Sequence, residues 1–166
     1  MKDVLRIEDL TKKFKKKNFF SSDSDEVIAA DSVNFSLEQG KILAIAGQSG
    51  SGKTTIAKLI LRAIKPDSGK IFHNQKEIMD NSDELKKFRM KCQMIYQDPY
   101  DSINPRMTIS DIVSEPLEIH NIGTKKEREQ RVIETLEKVK LEPAEEISKK
   151  YPHMLSGGQR QRIVIA

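Results

Sequence analysis

The chain has almost no cysteine, no tryptophan and few aromatic residues. Cys92 is the only cysteine among 166 residues, so no intramolecular disulfide and no multi-cysteine metal site can form. The longest uninterrupted apolar run, Ile42 to Gly47, is far short of the roughly 20 residues a membrane-spanning helix needs. Asp3, Glu8 and Asp9 occupy the N-terminus where a secretory leader would carry an apolar stretch, so no leader is expected. Neither sign of charge dominates: 29 Lys plus Arg against 25 Asp plus Glu leave a net charge of +4. That balance permits contact with nucleotides, acidic lipid or nucleic acid and demands none of them. The expectation is a reduced, cytoplasmic, soluble domain.

Apolar periodicity sketches the organisation. Val4 to Leu10 alternates as a strand does. The basic cluster Lys12 to Lys17 and the Ser/Asp stretch from Ser21 to Glu26 read as a solvated hairpin tip. Val27 to Leu37 reads as a second strand and Glu38-Gln39-Gly40 as a turn. Lys41 to Ala46 has the continuous apolar texture of a strand covered on both faces. Thr54 to Ile64 carries Ile56, Leu59, Ile60 and Ile64 at helical spacing, and Pro66 to Gly69 closes it as a turn. Lys70 to Phe72 and Gln93 to Tyr96 predict short strands, and Ser82-Asp83-Glu84 the start of a helix to about Met90. Beyond Gln97 the texture turns helical and charged, punctuated by Pro99, Pro105 and Pro116. Its clearest helix is Lys125 to Val139, with Val132, Ile133, Leu136 and Val139 on one face. The expected division is a strand-rich part over 1–97, a helical part over 98–155, and the start of a further helix over 156–166. His73, His120 and His153 stand in polar or turn contexts and read as surface or structural.

The strongest chemical signal is Gly47-Gln48-Ser49-Gly50-Ser51-Gly52-Lys53-Thr54, which fits G-x-x-x-x-G-K-[ST]. Glycines let backbone N–H groups turn inward and approach phosphate closely. The helix that follows presents unsatisfied N–H groups and a positive dipole end to the anion. Lys53 adds a point charge for the outer phosphates. The Thr54 hydroxyl is a hard oxygen suited to Mg²⁺. A second segment, Leu155-Ser156-Gly157-Gly158-Gln159-Arg160, reads as a helix N-cap followed by bare backbone N–H groups.

Taken in order, the phosphate loop, Tyr96-Gln97-Asp98-Pro99 and Leu155 to Gln159 resemble the ATP-binding subunit of an ABC transporter, along essentially the whole chain. Tyr96 to Thr108 and Tyr151 to Ser156 are similar to the oligopeptide/dipeptide/nickel importer subfamily. The resemblance implies an α/β fold: a P-loop NTPase core with a parallel sheet, an antiparallel β part and an inserted α-helical subdomain. It implies ATP and Mg²⁺ as cofactors. Gly47 to Thr55 would cradle the triphosphate, with Ser49, Gly50, Ser51, Gly52, Lys53, Thr54 and Thr55 in that set. Lys53 and Gln97 would be catalytic, and Thr54 and Gln97 would touch Mg²⁺. Phe14 would stack on adenine, although Phe19 and Phe20 lie nearby. Ser156, Gly157 and Gly158, with Gln159 in the same set, would contact ATP held by a partner subunit.

The implied activity is ATP hydrolysis at a shared dimer interface, powering uptake of peptides or a related small solute. The implied partners are a second, paralogous ATPase subunit, transmembrane permease subunits and, indirectly, an extracytoplasmic solute-binding protein, with no nucleic acid among them. The implied location is the inner face of the cell membrane. After Ala166 the family continues with an apolar strand ending Asp-Glu, a dimer-contact loop and a switch histidine. The expectation is therefore an N-terminal part of such a subunit, lacking C-terminal core strands and inactive alone. A nucleotide-binding module without turnover and a soluble, non-transport ABC ATPase are the alternatives.

Overall fold

Two strands dominate the first ninety residues because their apolar residues alternate and face one core. In the computed structural model, which describes residues 3–16, 25–96 and 103–166, the chain divides into two units, 1–94 and 95–166. In the first, β1 (Asp3–Lys16) pairs antiparallel with β2 (Asp25–Glu38). On its other side β1 pairs with β3 (Ser68–His73), followed by β4 (Lys76–Glu77), in the order β2-β1-β3-β4. Helix α1 (Lys53–Ile60) and helix α2 (Ser82–Arg89) complete the unit. Ile7, Leu10, Ile56, Leu59, Ile71, Ile78 and Phe88 form its buried core.

The β1–β2 ladder shifts register at four places, one of them between Ile7 and Leu10. Ile7 faces Phe35 and Leu10 faces Val33, so β1 carries an extra residue, a bulge. Asp9 takes it up at φ 47°. Asn34 fixes the kink: its amide donates to Asp9 Oδ1 at 2.8 Å and its Oδ1 accepts the Asp9 N–H at 3.0 Å. Gly69, at φ +92°, runs against the bulge, where an added Cβ would lie 2.4 Å from the Asp9 carbonyl oxygen. Next to it the Asp67 carboxylate accepts the Lys13 N–H at 2.6 Å and the Lys12 ammonium at 2.9 Å. Those bonds, the Lys13 amide first, hold the Asp67 carboxyl below its ordinary value. Lys12 to Lys16 therefore belongs to β1 rather than to a hairpin tip: these residues pair with Ala30 to Asp25, and Lys12 is anchored to Asp67.

The far end of α1 is held by two arginines. Arg62 adopts φ 53° just past the helix and its side chain is only 9% exposed. It donates to the Ile78 carbonyl at 2.9 Å and lies 3.6 Å from Asp80. Arg89 of α2 donates to the carbonyls of Leu61 (3.3 Å) and Arg62 (2.8 Å). Two cations thus sit just beyond the helix end where the dipole is negative.

Three expectations change. Lys41 to Ala46 forms no strand; Ile42 is 97% exposed. A strand covered on both faces needs ladder partners, and no described residue pairs with this run. Gln93 to Tyr96 is likewise not a strand. The cap of α2 is Asn81, whose side chain accepts the Asp83 N–H at 3.1 Å, one residue before the expected start. The described sheet is antiparallel throughout.

The second unit is helical: α3 (Ile109–Ile119), α4 (Lys125–Lys138), α5 (Ala144–Ser148), a 3₁₀ turn (Pro152–Met154) and α6 (Gly157–Ile165). Ile109, Val132, Leu136, Leu141, Ile147, Leu155 and Ile163 form its core, with Ile133 and Val139 partly buried beside it. Helices α3, α4 and α6 all start with a capping box, Thr108/Asp111, Thr124/Glu127 and Ser156/Gln159. In each, the cap side chain takes an orphan N–H and the third residue reaches back.

Two outcomes check this account. Gly69→Ala should lower stability by about 2–3 kcal/mol, the scale of enforced backbone strain, in urea unfolding. Asp67→Asn should be less stable than the wild type at neutral pH. Because the folded carboxyl is depressed, its contribution is present above about pH 4, the ordinary unfolded value. It is lost as pH falls through the folded value, so the two unfolding curves should converge on acidification.

Candidate functional site

The loop from Gly47 to Gly52 leaves the exposed run after β2 and enters α1. Its turns are set by Gly50 (φ +82°) and Gly52 (φ +90°) and by a bond from the Ser51 N–H to the Gln48 carbonyl at 3.2 Å. Gly52 is required twice. Its φ is left-handed, and a Cβ there would lie 2.0 Å from the Ala29 carbonyl oxygen of β2. The loop is thereby seated on the sheet backbone. Gly47 closes it from the other side, where a Cβ would lie 2.7 Å from Ser51 Oγ.

Gly52 also occupies the N-cap of α1, and with no side chain it makes no cap bond. The helix has no acid in its first turn. Its leading N–H groups and positive end are left for an anion. The Lys53 ammonium folds back over the loop, donating to the carbonyls of Gly47 (2.8 Å) and Gln48 (2.6 Å). It reaches Ser51 Oγ at 3.4 Å. This places a charge inside the ring of backbone before any ligand arrives. The Thr54 hydroxyl is exposed and has no hydrogen-bond partner among the described residues. Thr55 is half-buried beside it. A free hydroxyl oxygen of this kind fits a hard divalent cation.

Phe14 is 43% exposed on β1, with the Lys12 ammonium 5.6 Å from its ring centre. It faces Val27, two residues along β2 from the Ala29 that Gly52 touches, a step of about 7 Å. Gln97, together with Phe19 and Phe20, lies outside the described residues.

In the second unit Ser156 caps α6: its hydroxyl accepts the Gln159 N–H at 3.3 Å, and Gln159 Oε1 accepts the Ser156 N–H at 2.9 Å. Gly157 and Gly158 follow with nothing within 4 Å of where a Cβ would stand. The Gln159 side chain is thus spent on the cap, while the two glycines leave bare backbone at the helix start. Of the histidines, His73 packs edge-on against Phe88 at 5.3 Å and His153 stacks on Tyr151 at 5.8 Å. Burial pushes the Cys92 thiol up, away from reactivity. Sequence reasoning missed the Ala29 carbonyl as the seat of the loop, since backbone proximity has no residue-type signature. It also missed the boxes at Thr108 and Thr124, although both are spelled as Thr-x-x-acid.

Known proteins resemble this chain along most of its length. The ABC transporter family model matches residues 30–166. The oligopeptide transport ATP-binding protein AppF of Bacillus subtilis is 41% identical over 98% of this chain and 50% of its own length. The dipeptide transport ATP-binding protein DppF of Haemophilus influenzae is 43% identical over 91% of the chain and 46% of its own length. The chain thus spans about half the length of these curated relatives. Among solved structures, the ATP-binding cassette MJ0796, dimeric and bound to ADP and Pi, superposes with a TM-score of 0.79 at 29% identity. That match covers 97% of this chain and 67% of the other. The cbiO1 protein of Clostridium perfringens, part of the cbiONQ transporter complex, superposes with a TM-score of 0.73 at 26% identity, over 99% and 60% of the two chains. No helix among the described residues is long and apolar enough to cross a membrane. With its loop, its capped glycine turn and a family match running from residue 30 to residue 166, the chain belongs to the ABC transporter family.

Proposed function

We propose that this chain is the nucleotide-binding part of an ATP-hydrolysing subunit that powers a peptide importer. The observation that carries the reading is the phosphate loop: a helix start free of side-chain caps, seated on β2 through Gly52, with Lys53 already turned onto the loop carbonyls. Backbone N–H groups from Gly47 to Thr55 bind and orient the phosphates. The Lys53 ammonium shifts from the carbonyls of Gly47 and Gln48 toward the outer phosphates as they enter. Such preorganised charge is the main demand of phosphoryl transfer. Thr54 and Gln97 are the residues that would hold Mg²⁺, which when bound neutralises charge on the phosphate oxygens. Phe14 offers an exposed ring for the base. The parallel core of the family's sheet would take up Lys41 to Ala46 as one of its strands.

Ser156, Gly157 and Gly158 serve the ATP of a second ATPase subunit, so that each site is completed by two chains. The dimer of MJ0796 bound to ADP and Pi and the transporter complex that includes cbiO1 support that reading. The peptide transport names of AppF and DppF support a peptide or related solute as cargo. They also support transmembrane transporter subunits as partners, and a peripheral place on the cytoplasmic face goes with that proposed role. In its helical unit the chain offers bare backbone at a helix start for charge stabilisation across the dimer, which makes hydrolysis conditional on closure.

Lys53→Ala should weaken MgATP binding more than tenfold, about 1.4 kcal/mol, in a calorimetric titration, while the unfolding midpoint stays near that of the wild type. Unchanged affinity would remove the phosphate-loop reading. Gly157→Asp should leave the helix as stable or more so, because an acid in the first turn suits the dipole and a Cβ there meets open space. In the full-length subunit it should spare monomer nucleotide binding and abolish ATP-driven dimers in sedimentation. Dimers that persist would refute the shared site.

A further inference from the structure

A cavity of about 190 Å³ lies between β3–β4 and α2, away from the phosphate loop in sequence and made from one unit alone. Its floor is apolar: Phe88 and Ile78 are 5% and 4% exposed. His73 packs edge-on against the Phe88 ring. Around the mouth stand Lys76, Lys87, Lys91, Glu77 and Glu84. Both acids are already matched, Glu84 by Lys76 at 2.5 Å and Glu77 by Lys70 at 3.7 Å. Lys87 and Lys91 have no carboxylate partner among the described residues. The Asn74 amide nitrogen lies 3.2 Å from His73 Nε2. Burial first, and the Lys91 charge second, hold this imidazole below its ordinary value. The field of Lys91 therefore reaches the cavity. Once those pairs are set aside, the mouth keeps the positive charge of Lys87 and Lys91, and beneath the lysines lies apolar surface.

We propose that this cavity is a binding site for compact carboxylates with an aromatic or branched apolar body. The volume is below the roughly 300–1,000 Å³ of sites for drug-sized ligands, which suits a single ring or short branched chain. Inorganic phosphate would gain from Lys87 and Lys91 but would cover the apolar floor with a hydrated ion. A neutral ring would cover the floor but leave the two ammoniums unmatched. The cavity also adjoins the clamp on α1: the Ile78 carbonyl receives Arg62, and Arg89, next to Phe88, holds Leu61 and Arg62.

The test is a titration of the full chain with benzoate, followed by NMR at His73 and Phe88, with benzyl alcohol and inorganic phosphate as matched probes. Saturable shifts with benzoate are expected, together with an upward move of the His73 pKa toward its ordinary value as an anion arrives. The double variant Lys87→Gln/Lys91→Gln, changed only at exposed positions, should lose at least fivefold in benzoate affinity. Absence of saturable shifts would overturn the proposal. So would an equal response to benzyl alcohol, which would mark a hydrophobic cleft only. An equal response to phosphate would mark a non-specific cation patch, and an unchanged double variant would show that the lysines do not select the ligand; either result is equally fatal.

Discussion

The first unit depends on two places where a glycine lies directly against a carbonyl of the sheet. Gly52 enters α1 over the Ala29 carbonyl of β2, and Gly69 returns the chain to the sheet over the carbonyls of Glu8 and Asp9 in β1. Both have φ near +90°, a region that costs an L side chain free energy even where there is room. Here there is none. The excursion through the phosphate loop and α1 is thus pinned at each end by main-chain packing, and any side chain at either point must push the helix away from the strands. The bulge at Asp9 is part of the same device. It turns the β1 backbone so that Gly69 can meet it, and Asn34 locks it from the neighbouring strand.

The helix held this way is electrically one-sided. At its start no side chain caps the amides; past its end Arg89 donates to the Leu61 and Arg62 carbonyls, and Arg62, bonded to the Ile78 carbonyl, adds a second positive charge. Cations at the C-terminal end oppose the negative pole of the dipole, leaving the positive pole as the unbalanced one. An anion at the loop then meets uncompensated N–H groups and Lys53 together. Arg62 in a left-handed conformation, where glycine or asparagine is usual, implies that its side-chain contacts with Ile78 and Asp80 outweigh the backbone strain, of order 1 kcal/mol.

Much of this was legible where chemistry demands a residue type at a fixed spacing. The loop glycines, Lys53 and Thr54 could be read because phosphate binding leaves few alternatives. Ser156 could be read as a cap because two glycines after it have little other use. Val132 and Leu136 could be read as core from a 3.6-residue period. What resisted was information held by partners rather than residues. The apolar run Ile42 to Ala46 signals a need for cover, not its presence, and no described residue supplies it. Lys12 to Lys17 reads as a solvated tip because five basic residues in six say nothing of Asp67, some fifty residues away, which draws Lys12 and Lys13 into the ladder. The seat of Gly52 on Ala29 involves a carbonyl that every residue possesses.

The glycines divide into two kinds, and the division bears on function. Gly52 and Gly69 are explained within the chain by positive φ and by contact. Gly157 and Gly158 are not: neither has a positive φ, and neither has a neighbour that a methyl group would strike. Within a helix each costs roughly 0.5–1 kcal/mol relative to alanine, and the Ser156–Gln159 box already secures the helix start without them. Nothing in the described fold offsets that cost. Under the proposed shared site, a body that approaches the bare N–H groups more closely than a Cβ would allow offsets it, and amides at a positive helix end suit an anion. The loop at Gly47 to Thr54 has the same character with its cap missing altogether. One chain therefore presents two anion-seeking helix starts, one fitted with a lysine and a metal-suited hydroxyl and one fitted with neither. That asymmetry suits the proposed division of a site between two subunits: one half would bind the nucleotide, and the other would complete its charge environment only when a second chain arrives.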